Sequence, residues 1–434
     1  MTIPASHPWW TICFAEQHAE QEWLHDLQKA ELNAFIAAGL PTRKDERWKY
    51  TDMSFLEKKA FTRSAVIHTS KVETITSIKR LQKSESIFIV LINGHFSAKL
   101  SKTGHVPAGV VLCSIRKALE THPDLVKKHL MKEGKPYSSF ASLNMALMTD
   151  GVFLYIPKNL SIDLPVHFLY LNAHQNHFVS SPRNIIIAEA NSHAVILEEH
   201  HAQEAENYFS NIVTDIHAQE NAQIYYHKIQ AEDFQSTHIS QIYVQQQKDS
   251  VVKLCVLAVG GNVAREDVYV HLTEPGAQSS VNGFYVLNTD EQHLDNHIQI
   301  DHIAPHGSSE MMYKGVLDKK THAVFNGKIL VHPEAQKTHS HQANHNLILS
   351  PHASVDTKPE LEIYADDVKC SHGDTVGQLD VESLFYLRSR GLDKHTALKL
   401  LTYAFAAEVM DRINHPEIKQ RMIDLLNEKL VDDN

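Results

Sequence analysis

Two side chains that can ligate a metal stand two residues apart in the string Val368-Lys369-Cys370-Ser371-His372-Gly373. In an extended strand alternate residues leave the same face, so this spacing sets the thiol of Cys370 beside the imidazole of His372. Both groups bind soft or borderline metals, and the charge state of each responds to its neighbours. Upstream, His332, His339, His341 and His345 crowd a short span, and His339 and His341 again share strand parity. Each feature also has a purely structural reading. Cys370 continues the apolar parity of Val368 and suits a small buried hydrophobe as well as a ligand; a His-rich strand suits a polar outer face. A thiolate-held cluster takes four thiolates as a rule, so a metal site around Cys370 would draw other ligands from elsewhere, a second chain being the natural source. The spacing of His339, His341 and His345 alternatively suits a self-contained mononuclear site of the kind found in double-stranded β barrels.

The rest of the chain has to position these groups. At 434 residues, with 43% apolar and 21% charged residues, it is long enough for two or three domains and a sizeable core. A formal charge of -11 with no Lys/Arg block argues against binding duplex nucleic acid. No apolar run approaches the roughly 18 residues that span a membrane, and the acidic N-terminal stretch with Glu16, Glu20 and Glu22 lacks the form of a signal peptide, so a cytoplasmic address is expected. Cys13, Cys113, Cys255 and Cys370 lie far apart without a Cys-x-x-Cys pair, which disfavours a disulfide framework or a structural zinc site. Phosphate-loop, dinucleotide, nucleophile-elbow and His-Glu-x-x-His motifs are missing; Asn326-Gly327-Lys328-Ile329 is a Gly-Lys pair between strand residues.

Apolar residues at spacings of three and four predict a helix over Gln17 to Ala38, closed by Gly39 and Pro41. The following Glu46-Arg47-Trp48-Lys49-Tyr50-Thr51 reads as a surface corner anchored by its rings rather than a nucleic-acid contact. Ile87 to Asn93 predicts a buried strand; Ser114 to Glu133 predicts a helix broken at Pro123, and Ser138 to Met148 another. From Val152 the texture becomes strand after short strand for about 220 residues, which calls for one all-β architecture. Polar turns followed by a small residue recur, and Ala194, Ala222, Ser250 and Ala277 are 28, 28 and 27 apart. That near-constant step favours stacked coils of a β-solenoid over a sandwich or a pair of barrels. After Asp380 helical periodicity returns: Val381 to Arg390, a helix capped by Asp393 running to about Ile413, and a third opened by Pro416. The second is apolar over a wide arc and can dock on the β body or on a partner. The expected organisation is therefore a mixed helical region at 1–150, a β core at 151–380 and a helical region at 381–434.

The string Val368 to Asp380, continued by Leu384-Phe385-Tyr386-Leu387-Arg388-Ser389-Arg390-Gly391, closely resembles the SufB/SufD family of the SUF iron-sulfur cluster assembly machinery, on its SufD side. Glu46-x-Trp48-Lys49-Tyr50-Thr51, Leu143-Asn144 with Asp150-Gly151, and His339-x-His341 with Asn344-x-Asn346-Leu347-x-Leu349-Ser350 agree with it. The resemblance is specific in the last hundred residues and loose between about 55 and 135. SufB proteins typically carry Glu-His-Glu-Ala where this chain has Ser371-His372-Gly373-Asp374, and more cysteines; Asp374 departs from the Ala common in the family.

The resemblance implies a mainly β protein: a right-handed parallel β-helix, a single-stranded solenoid, flanked by N-terminal and C-terminal α-helical regions. It also implies a non-catalytic scaffold subunit of the SufBCD complex. Such a subunit pairs with SufB through the β-helices, self-associates when alone, and binds the ATPase SufC through its C-terminal helices. In this chain the SufC-docking surface would carry Leu392, Ala397, Leu400, Leu401, Ala404, Phe405 and Val409. A transient iron-sulfur cluster is implied at the SufB interface, with His372, and Cys370 beside it, on this side of the seam. ATP would enter only through SufC, whose dimerisation would strain the helices and open the interface; a reduced flavin is reported for some members. The remaining alternative is a purely structural adaptor.

Overall fold

The computed structural model describes residues 8–17, 21–73, 75–83, 86–104, 106–130 and 138–429. Two long parallel sheets face each other, and the chain alternates between them. One runs Ser354–Ile363, His322–Val331, His293–His302, Val263–Leu272, Thr237–Gln246, Phe209–Ala218, Arg183–Ala188, Val152–Ile156 and Val111–Ser114 in spatial order. The other runs Lys369–Gln378, His339–Ile348, Ser308–Leu317, Gln278–Leu287, Val251–Ala258, Gln223–Ala231, His193–Gln203, Val166–Ala173, Ile87–Ile92 and His95–Phe96. Each coil contributes one strand to each sheet, giving a parallel β-solenoid of about eight turns with helices at both ends of the chain, as expected.

The corners set the coil length. Asn191, Asn221, Asp249, Gly276, His306 and Lys337 all have positive φ, from 53° to 77°, the left-handed conformation that reverses the chain most cheaply at Gly, Asn or Asp. Each is followed by a buried small residue, Ser192, Ala222, Ser250, Ala277, Gly307 or Thr338, and then by a strand. Asn221 Nδ2 donates to Asn191 Oδ1, and Asn191 Nδ2 to Asn159 Oδ1, each at 2.8 Å, so part of the corner is an amide ladder. Ladder register gives coil steps of 30, 28, 27, 30 and 31 residues. The residue equivalent to Ala222 is thus Ser192, not Ala194, and the first step is two residues longer than the turn pattern suggests.

Strand alternation divides side chains between the lumen and the two outer faces. The lumen is lined by Ile196, Ile224, Leu254, Val281 and Met311 from one sheet and by Ile216, Ile242, Val268, Ile298 and Ile329 from the other, all essentially inaccessible. Large and small residues interlock there: a Cβ on Gly283 would lie 2.2 Å from the Tyr313 ring and one on Gly315 2.1 Å from the Tyr285 ring, so only glycine fits beneath these aromatics. Phe209–Ala218 and Thr237–Gln246 are strands that apolar patterning did not reveal, because their buried positions include Asn211, Thr214, Asp215, His238, Ser240 and Gln241.

The outer faces hold the flanking helices. Trp9–Ala15, a helix not anticipated from the sequence, and Glu22–Ala38 pack with Ser139–Leu147 around Trp9, Trp10, Phe35, Trp48 and Phe140. The expected helix at 17–38 is thus seen from Glu22; residues 18–20 lie outside the described set, as do residues 131–133 of the expected 114–133 helix, whose break at Pro123 is present. Trp48 forms the expected packed corner. The Arg265 guanidinium lies 3.7 Å from its ring centroid, is hydrogen-bonded to Arg47 O at 2.8 Å and paired with Asp295 at 2.6 Å. At the other end of the chain Pro416–Lys429 and the second half of Lys394–Met410 cover the opposite face through Val409, Met410, Ile418, Met422 and Leu426. Glu199, fully buried, accepts from Arg421 at 2.8 Å and pairs with Arg80, tying both flanks to one strand. Among the described residues no helix is long and apolar enough to cross a membrane.

Candidate functional site

The two ends of the solenoid are finished differently. At the N-terminal end the last parallel strands are followed by antiparallel partners, Val111–Ser114 on Val152–Ile156 and His95–Phe96 on Ile87–Ile92. At the C-terminal end, among the described residues, Ser354–Ile363 pairs only with His322–Val331, and Lys369–Gln378 only with His339–Ile348. Each therefore presents a row of backbone N–H and C=O groups without a next strand, a ready template for strand addition.

Cys370 and His372 lie on that terminal strand. Register places Cys370 against Ser340, His372 against Gln342, Asp374 against Asn344 and Val376 against Asn346; these four neighbours are all at most 5% exposed in the lumen wall. The row Cys370-His372-Asp374-Val376 thus continues the wall past the last complete coil, and a hydrogen bond from Thr357 Oγ1 on the facing sheet to Asp374 Oδ2 confirms its inward direction. The mouth stays open: His372 is exposed, Val376 is 51% exposed, and Ile363 on the facing strand 40%. Cys370 is half-buried and packs with Val368 against the end of the lumenal core. Burial pushes its thiol up, against a backbone hydrogen bond from Ser340, so the free residue is a neutral thiol.

The upstream histidines do not join it. His339, His341 and His345 alternate with the lumenal Ser340, Gln342, Asn344 and Asn346, and so occupy the outer face. There His341 Nδ1 bonds Ser371 Oγ at 2.9 Å and His345 Nδ1 bonds Thr375 Oγ1 at 2.7 Å. The sequence cluster is an outer-face row, on the side of the sheet opposite His372. Among the described residues the group of three ligand-type side chains close enough to share an ion is a different one, His200, Glu232 and His238. Nothing in their spacing announced it, because His200 lies one coil before Glu232 and His238, and only the pairing of His193–Gln203 with Gln223–Ala231 brings them together.

The seven docking candidates on the C-terminal helices divide. Ala397 and Val409 are buried within this chain, and Phe405 packs on Phe284 with ring centroids 6.4 Å apart. Leu392 and Leu401 are half-buried, while Leu400 and Ala404 are exposed. The preceding helix, Val381–Ser389, has no buried residue and shows Val381, Phe385 and Tyr386 at 76%, 73% and 56% exposure. These and Leu400 are exposed apolar side chains on two consecutive helices, of which sequence reading named only Leu400 as a docking residue.

Comparison with known proteins now adds to this geometry. A family profile described as "SUF system FeS cluster assembly, SufBD core domain" matches residues 170–405, and one described as "SufBD protein N-terminal region" matches residues 15–168. The chain is 33% identical over 392 residues to an iron-sulfur cluster assembly SufBD family protein of Synechocystis, covering 88% of this chain and 86% of that protein. It is 28% identical to the chloroplastic protein ABCI7 of Arabidopsis thaliana, covering 92% and 84%. It is 27% identical to the iron-sulfur cluster assembly protein SufD of Escherichia coli, covering 95% and 97%.

Proposed function

Since this chain belongs to the SufBD family of SUF-system iron-sulfur cluster assembly proteins, we propose that it is a scaffold subunit whose open solenoid end forms half of a cluster-building seam. The observation that supports this most directly is the terminal strand Lys369–Gln378, which carries an exposed imidazole and a half-buried thiol on a sheet edge with no next strand among the described residues. A second β-helix, that of SufB, adds to this edge and supplies the sulfur ligands that a single thiol cannot. His372 offers a ring nitrogen to incoming iron; Cys370 contributes a second donor once its proton leaves. The exposed apolar side chains of Val381, Phe385, Tyr386 and Leu400 receive SufC, which alone binds ATP, and Ala397 and Val409 anchor the second helix to the body. In this reading the chain catalyses no reaction itself, and the complex works in the cytoplasm.

The test is anaerobic cluster assembly by the complex co-purified with SufB and SufC, followed by absorption and electron paramagnetic resonance. His372→Ala is expected to lower cluster yield by roughly 10- to 100-fold, the range for losing a ligand-shell group, with subunit stoichiometry unchanged; Cys370→Ala should do less. Normal yield with His372→Ala but none with Cys370→Ala would reverse the ligand assignment. Normal yield with both replaced would leave a structural adaptor.

A further inference from the structure

The interior of the solenoid is not uniformly apolar. Within it His200, Glu232 and His238 are 2%, 2% and 1% exposed and place one donor atom each within 4.8 Å of the other two. Tetrahedral bonds of about 2.1 Å set donors about 3.4 Å apart, so side-chain rotations must draw the three together around an ion. Each of the three is held by its neighbours, and Glu232 Oε2 is hydrogen-bonded to His238 Nδ1, so a rotation of one of these two side chains frees the oxygen for an ion. Glu198 Oε1 accepts from His200 Nε2 at 2.6 Å, leaving Nδ1 to bind. Ser210 Oγ and Asn172 Nδ2 hold Glu232 Oε1 at 2.8 and 3.0 Å, leaving Oε2 toward His238. Such carboxylate-to-imidazole and donor-to-carboxylate bonds are the outer shell that fixes ligands around an ion.

Two further observations point to a cation. His238 bonds Glu232 through Nδ1, while its Nε2, fully buried, reaches no partner; an orphan nitrogen in such a place is costly unless something binds there. The local charge is also one-sided. Glu198, Glu232 and Glu266 line one stretch of lumen with, among the described residues, a single fixed cation, Lys228, which lies 2.6 Å from Glu266 and 3.8 Å from Glu198. Among the described residues Glu232 is hydrogen-bonded to the neutral donors Ser210 and Asn172 and to the His238 imidazole, with His200 also beside it.

We propose that His200, Glu232 and His238 form a buried binding site for one divalent first-row transition ion of zinc or ferrous type, held inside the solenoid and separate from the open-end seam. Two imidazoles and a carboxylate select such ions over calcium or magnesium, which prefer all-oxygen shells. With the lumen closed around the site, the ion is taken up as the coils form and exchanges slowly, as a resident structural metal does. The site does not depend on the proposed role of His372, and the test separates the two.

The full-length chain is stripped of metal under mild denaturation, refolded with Zn(II), or anaerobically with Fe(II) or Co(II), desalted and assayed for bound metal. About one equivalent is expected in the wild type and in His372→Ala and His341→Ala. Glu232→Gln and His238→Gln should weaken retention at least tenfold, with circular dichroism unchanged. Retention equal in wild type and both lumenal variants would overturn the site, as would no retention at all. X-ray absorption of the wild-type protein needs no variant: a nitrogen/oxygen shell with imidazole scattering supports the site, and a sulfur neighbour, which would place the metal at a cysteine, overturns it.

Discussion

The same lumen wall carries imidazole and carboxylate groups in two settings. Inside, His200 and His238 lie against Glu198 and Glu232 with coils above and below, all four at most 2% exposed. At the mouth, His372 and Asp374 continue that inward-facing parity with no coil beyond them. The strand geometry and the residue types are shared; the next coil makes the difference. Where it exists, every charge must be matched inside the coil, by the chain or by a bound ion, and the polar groups become part of the framework. Where it is missing, the same groups keep valences for something outside. An interior of this kind resists substitution through stability, whereas the mouth should tolerate it in stability and show it in function.

The largest effect expected from that contrast comes from breaking the interior. Lys228, whose side chain is inaccessible, pairs with Glu266 at 2.6 Å and also donates to Ser240. Lys228→Met keeps the bulk of the side chain but leaves buried carboxylate without its cation, which costs about 3–5 kcal/mol. His372→Ala at the mouth should cost no more than about 0.5 kcal/mol. Urea unfolding of the two variants measures both; equal midpoints would erase the distinction between interior and mouth.

Titration gives an intermediate effect. Burial pushes His227 down to about 4, helped by His415, and burial pushes His302 down to about 4 against the pull of Asp301. Because the folded values lie below the unfolded value of about 6.5, the unfolded chain binds more protons between them. The contribution to stability is therefore complete above about pH 6.5 and is lost as pH falls toward 4, amounting to about 2 kcal/mol per histidine by pH 5. Asp295 titrates in a lower window: burial pushes it up, but Arg265, His297 and Thr51 together outweigh burial and hold it below the usual carboxylate range, so its contribution is lost only below about pH 4. Urea midpoints at pH 7 and pH 5 should differ accordingly, and His302→Gln should reduce the difference; a flat profile would mean that these rings gain protons without opening the fold.

How far the sequence revealed these two settings follows from their physics. The corners were legible because a left-handed residue before a small buried one is a local requirement, as at Asn221-Ala222 and Asp249-Ser250. The first coil was misregistered because Ala194, a small residue within a strand, looked like the corner residue Ser192. Cys370 and His372 were found by their two-residue spacing on an apolar-parity strand, which stays meaningful without tertiary contacts. The interior group was invisible for the opposite reason. His200, Glu232 and His238 sit in segments whose polar residues break the apolar alternation, and only the stacking of coils shows that these positions are buried. His339, His341 and His345 were a cluster in sequence but form an outer row, since strand alternation sends odd and even positions to opposite faces.

The smallest stability change should come from the terminal edge, where it sharpens the comparison most. Val376 is half-exposed and stands against Asn346 on the last strand, with no further strand to cover it. Val376→Lys places a charge on an unpaired edge, the device by which natural sheets discourage strand addition. Little apolar contact is lost within the chain, so the urea midpoint should correspond to a change within about 0.5 kcal/mol. Association with a second β-helix, followed by light scattering of the separated and mixed subunits, should weaken at least about tenfold, because the ammonium must be desolvated or the added strand displaced. Unchanged association would mean that this edge is not the seam, leaving His372 without the partner its ligand role requires. A large loss of stability would mean that Val376 belongs to the core, so the mouth would be closed by its own chain.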